Sequence, residues 1–264
     1  VDVLDIVRRI SDDTANFGPD AAEKALRALS AVADEPVVVD ALKVAGTRAG
    51  SATSEAAMDG LATMAKIGVD PQKMVKILKR QDIVSDSYRL DNLLADTGEL
   101  REVGGLWKTL DDMANCTSQK GRGVPRGISL EIQNAAAFKR AKKHVEHMRR
   151  NIPFAQEYSP KPGSTRAWAS RTDIDFKADG IRCDSKLNAK NIKTRNAINW
   201  IHAAAHEAGG PPDGYRKVKI LVPNVGEVPN ALKQQLNSIA ARMNLADGDA
   251  ADAWKMFFDV GLGD

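Results

Sequence analysis

Residues 172–187 read TDIDFKADGIRCDSKL, two runs of alternating residues around Asp179-Gly180. Asp-Gly between alternating hydrophobics marks a two-residue β-hairpin, because the type I′ turn that matches strand twist needs positive φ at both central positions. With Ala178 paired to Ile181, the register predicts Phe176 opposite Cys183, Asp175 opposite Asp184 and Asp173 opposite Lys186. Side chains alternate across a strand. Ile174, Phe176, Ala178, Ile181, Cys183 and Leu187 therefore form one face, and Asp173, Asp175, Lys177, Arg182, Asp184 and Lys186 the other.

The charged face carries the chemistry. Directly opposed carboxylates destabilise a sheet unless a proton or a cation sits between them. Oxygen ligands converging from two strands suit Mg²⁺ or Mn²⁺. The alternative is a solvated polar face on an amphipathic hairpin.

Asp175, followed across the turn by Asp184-Ser185-Lys186, resembles the PD-(D/E)xK nuclease superfamily, whose motif is an acidic residue on one strand and D/E-x-K on its hairpin partner. The resemblance implies that Asp175 and Asp184 hold the divalent metal and that Lys186 activates water or stabilises charge at the phosphate. That family often adds an acidic residue from the first helix of its core, and Glu131 is the matching position. A glutamate in the first turn of a helix is also favoured by the helix dipole alone. Gln156 and Glu157 are weaker candidates. The family core runs α-β-β-β-α-β, and the resemblance covers residues 128–223.

Before the hairpin, residues 1–117 read as a helical domain. Val3, Ile6, Val7 and Ile10 recur at helical spacing, as do apolar positions in 20–32 and 37–44, with Gly18, Pro36, Gly46 and Gly50 between. Ser51 or Ser54 caps a helix through Met64. Asp70-Pro71 supplies an N-cap followed by proline at the first helical position, opening a helix to Lys79. Further helices are expected at 87–95 and 100–114. The glycine-, proline- and base-rich QKGRGVPRG at 119–127 predicts a domain boundary, giving 1–117 as a helical bundle and 118–264 as the nuclease-like domain.

Within the second domain the pattern predicts a helix at 129–150, strands at 154–158 and 167–170, the hairpin, a helix at 193–208, a buried strand at 218–222, and tail helices at 229–244 and 249–259. On the 193–208 helix Ile198, Ile201 and Ala205 turn inward, leaving Arg195, Asn199, His202 and His206 as a polar stripe. His202 and His206 stand at a zinc-compatible spacing, but no third ligand follows a recognisable pattern. Trp200 and Trp254 are expected in the core. The two cysteines, Cys116 and Cys183, lie far apart, which fits no dependence on disulfides.

A net charge of +3 conceals segregation. Residues 1–117 carry 14 Lys and Arg against 20 Asp and Glu, residues 118–222 carry 21 against 9, and residues 223–264 carry 3 against 6. A basic field around a carboxylate pair suits a polyanion such as nucleic acid. Lys190, Lys193 and Arg195, together with Lys177 and Arg182, are the expected phosphate contacts. With aromatics at only 5% there is no stacking array for single-stranded bases, which favours DNA over RNA.

No stretch approaches the ~18 apolar residues of a membrane span, and no signal peptide is visible. The chain begins at Val1, which suggests a piece of a longer polypeptide. A helical front, a basic linker and a small nuclease-like domain resemble the toxic C-terminal regions of bacterial polymorphic and contact-dependent inhibition toxins. That resemblance implies delivery into the cytoplasm of a target cell and an acidic immunity protein as partner. An RNase of the tRNA-cleaving kind and a non-catalytic nucleic-acid-binding module are the competing expectations.

Overall fold

The structure, a computed structural model, describes residues 61–66, 68–79, 90–115, 123–153, 171–245 and 249–261, besides the isolated positions 26, 27, 30 and 36. The expected helices before residue 50 and the expected strands at 154–158 and 167–170 lie outside the described residues, as does Cys116. The protein combines helices with a mixed five-stranded sheet and divides by its internal contacts into Val1–Arg140 and Ala141–Gly263.

The first unit is helical. Residues 61–66 are followed by α1 (Pro71–Lys79), α2 (Leu90–Glu99), α3 (Leu106–Asn115) and α4 (Gly123–Arg140). Asp70 caps α1 as expected, its Oδ1 accepting the Lys73 N–H at 3.0 Å, with Pro71 at the first helical position. Leu61, Met64, Met74, Leu93, Leu110, Met113, Ile132 and Ala135 are buried here. Arg140 pairs with Asp96, and the Lys139 ammonium donates to the Glu99 carbonyl at 2.5 Å, so the basic end of α4 is fastened to α2. The unit boundary accordingly falls after α4 rather than at 117/118, because α4 packs with α2 and α3.

The helix expected at 129–150 stops at Arg140, and β1 (Val145–Pro153) begins five residues later. Val145, Met148 and Ile152 have the three- and four-residue spacing of a helix face. A register shift between Val145 and His147 makes that spacing serve a strand, since Val145 meets Ala178 and Met148 meets Phe176. All five of these side chains are buried.

In the second unit β2 (Arg171–Ala178) and β3 (Ile181–Ser185) form the hairpin, with Asp179 and Gly180 at φ 48° and 77° as a type I′ turn requires. The pairs Ala178↔Ile181 and Phe176↔Cys183 match the sequence reading. After a short 3₁₀ turn come α5 (Thr194–Glu207), α6 (Asp213–Arg216), β4 (Val218–Val222), α7 (Asn230–Arg242) and β5 (Phe258–Val260). The sheet order is β1-β2-β3-β4-β5, antiparallel through the hairpin and parallel from β3 onward. The helix expected at 249–259 is instead a 3₁₀ turn, Ala253–Phe257, leading into β5, where Phe258 pairs with Ile220.

The core of this unit joins Ile198, Ile201 and Ala205 of α5 with Tyr215, Val218, Ile220, Val222, Leu232, Leu236 and Phe257. Fully burying an aliphatic or aromatic side chain contributes about 1.5–3 kcal/mol. Trp200 and Trp254 are buried, as expected. Gly214 is required by close approach: a Cβ there would lie 2.0 Å from the Ala205 carbonyl oxygen. No helix among the described residues is long and apolar enough to cross a membrane.

Candidate active site

Three of the expected site residues come together where the hairpin opens. Its ladder ends at Phe176↔Cys183, one rung before the expected Asp175 and Asp184 pair, so the two acids are not paired by the backbone. Opposed like charges disfavour that rung. Instead the Asp175 Oδ2 accepts the backbone N–H of Ser185 at 2.6 Å. β3 meanwhile stays paired with β4 through Ser185↔Leu221, and the Lys186 N–H continues the pattern to the Leu221 carbonyl at 2.9 Å.

Asp175 and Asp184 are both buried, at 7% and 5% exposure, whereas the Lys186 side chain is 41% exposed. The Lys186 ammonium donates to Asp184 Oδ1 at 2.6 Å. Burial pushes the Asp175 carboxyl up to about 8, and the neighbouring Asp184 charge pushes the same way; Lys186, the Ser185 N–H and Arg149 oppose the shift. Two neighbouring buried carboxylates resist carrying charge together, and Lys186 on Asp184 only partly relieves this.

The donors fit a hard divalent cation. Asp175 and Asp184 each keep one carboxylate oxygen beyond the hydrogen bonds to Ser185 and Lys186. Among the described residues no group of three or more His, Cys, Asp or Glu is placed to hold a metal. Two carboxylates match Mg²⁺ all the same, since it commonly retains waters and takes its other ligands from substrate phosphates.

Glu131 is buried on α4 and belongs to the helical unit. The α/β unit by itself thus supplies the Asp175, Asp184 and Lys186 group. Gln156 and Glu157 lie outside the described residues. Lys190, Lys193 and Arg195 are exposed on the stretch leading from β3 into the first turn of α5.

Arg182 corrects the sequence reading. It is buried, paired with Glu207 on α5, and donates from Nη1 to the Gly180 carbonyl at 2.5 Å and from Nη2 to the Glu207 carbonyl at 3.3 Å. Its place opposite Val218 in the ladder faces it toward the α5 side, where it ties the hairpin to the helix end. Lys177 is likewise engaged, 2.5 Å from Glu146 of β1. That pairing holds the Glu146 carboxyl below its usual range, as does the Gly180 N–H.

His202 leaves the expected polar stripe: it is buried, with Nδ1 2.6 Å from the Tyr215 hydroxyl. Burial lowers its pKa to about 4, Arg242 contributing. His206 is exposed, so the two histidines do not share an environment. Cys183 is a buried free thiol whose ionisation burial makes harder.

Sequence reasoning missed Arg149, Ser185 and Glu207. Arg149 was assigned to a helix, and only its place in β1 brings its charge to Asp175. Ser185 acts through its backbone, which no side-chain motif reveals. Set against known protein families, curated proteins and solved structures, the chain matches none.

Proposed function

We propose that this protein is a metal-dependent endonuclease that cleaves phosphodiester bonds of nucleic acid, with DNA favoured over RNA. The reading is carried by the buried Asp175 and Asp184 pair with the Lys186 ammonium on Asp184. Buried like charges are retained at a cost, and a cation site is the arrangement that offsets it. The helix and strand order from α4 to β4, α-β-β-β-α-β with the one-turn α6 added before β4, supports the restriction-endonuclease-like version of the fold.

A bound Mg²⁺ or Mn²⁺ would supply a water acidic enough to serve as nucleophile near neutral pH. Asp175 and Asp184 would hold that ion, Ser185 fixes the Asp175 carboxylate through its N–H, and Lys186 would donate to the nucleophilic water or to the developing charge on phosphate. Lys190, Lys193 and Arg195 hold the nucleic-acid backbone.

The test is incubation with plasmid and with total RNA, in Mg²⁺ or Mn²⁺ and with EDTA. Wild type should nick plasmid, EDTA should stop it, and Asp184→Ala or Lys186→Ala should lower the rate by roughly 10³-fold or more without unfolding the chain. Undiminished nicking by both variants refutes the assignment. Degradation of structured RNA with plasmid untouched moves the substrate to RNA.

The basic 118–222 segment and the toxin resemblance support a finer role as an antibacterial effector that acts in a target-cell cytoplasm and is neutralised by an acidic immunity protein.

A further inference from the structure

Resting on that reading of the site, we propose that Arg149 is a further catalytic residue, whose guanidinium binds the scissile phosphate from the side of Asp175 opposite β3. In β1, Met148 pairs with Phe176 and Arg150 with Ile174, which leaves Arg149 at the rung of Asp175. β1 and β3 flank β2, so Arg149 and Lys186 approach the buried acid from its two sides. Arg149 is close enough for its charge to act on Asp175.

The backbone at this rung is strained. Arg149 has φ 47°, a left-handed conformation that a long side chain adopts inside a strand only at a cost. Such strain concentrates where a side chain must be aimed. The side chain is half-buried. A phosphodiester offers two non-bridging oxygens in the geometry that an arginine fork matches and a lysine does not.

Arg149→Ala, Arg149→Lys and Arg149→Gly test this on the full chain with plasmid in Mg²⁺. The glycine variant accepts the left-handed backbone, which separates loss of the guanidinium from loss of the fold. We expect the alanine and glycine variants to lose roughly 100-fold in kcat with KM little changed and thermal midpoints at or above wild type for glycine. Lysine should recover about a tenth of the wild-type rate, and free guanidinium should partly rescue glycine. Variants within about threefold of an active wild type overturn the proposal, as does a rate loss that only follows loss of folded protein. A wild type that cuts neither plasmid nor RNA overturns the nuclease reading itself, and this inference with it.

Discussion

Burial and the neighbouring Asp184 charge disfavour a charge on Asp175. Its proton is held in the folded state up to about pH 8, whereas an unfolded aspartate releases it near 4. The stability contributed by that proton is therefore complete below about pH 4 and is lost as pH rises through about 8. His202 acts in the opposite sense: its folded pKa of about 4 lies below the unfolded value of about 6.5, so its contribution is present above 6.5 and lost as pH falls toward 4. The interval from about 6.5 to 8 isolates Asp175, since above it an unfolded cysteine ionises while buried Cys183 does not. In EDTA the thermal midpoint should fall across that interval by roughly 5 °C or more, and Asp175→Asn should flatten the fall. Adding Mg²⁺ at pH 8 should raise the midpoint of wild type and leave the asparagine variant unmoved. A flat wild-type profile in EDTA would show that Asp175 is not held neutral.

Arg182 and Glu207 join two elements rather than a protein and its substrate. The guanidinium fastens the second residue after the 179–180 turn to the last turn of α5, and both side chains are largely buried. Removing one partner leaves the other charge buried and uncompensated, at a cost of about 3–5 kcal/mol, while replacing both with apolar residues is often neutral. Glu207→Ala should thus lower the urea unfolding free energy by about 3 kcal/mol, and Arg182→Met with Glu207→Leu should restore most of it. The same pair bears on function. If Arg182 held a phosphate, its loss would weaken nucleic-acid binding in a folded protein; the buried pair predicts lost stability with binding by the folded fraction unchanged.

At the scale of the whole molecule the charge is divided: residues 118–222 hold 21 basic side chains against 9 acidic, and residues 1–117 hold 14 against 20. Polyanion binding is expected to concentrate in the basic portion and to weaken steeply with salt. For the effector role, production of this chain inside bacteria should arrest growth, Asp184→Ala should relieve the arrest, and a small acidic protein encoded beside the toxin should protect by fast, salt-sensitive association. Normal growth with soluble, active nuclease would count against the effector role and leave the enzymology standing.

The hairpin was legible because its determinants are local. Asp179-Gly180 demands the turn, the turn sets the register as far as Phe176↔Cys183, and the alternation buries Phe176 and Cys183. The α1 cap, β4 and the cores of α5 and α7 were legible for the same reason, since Asp70-Pro71 and the apolar periods act within a few residues. β1 was not: Val145, Met148 and Ile152 carry a helical period, and only a bulge against a strand more than twenty residues away turns that period into a strand face. Likewise Arg182 reads as a surface cation until α5 brings Glu207 to it, and His202 as a polar-stripe residue until Tyr215 arrives from α6. Sequence chose the residues that can bear charge. Burial and neighbours distant along the chain decided which charges face solvent, which are paired, and which, at Asp175, are disfavoured.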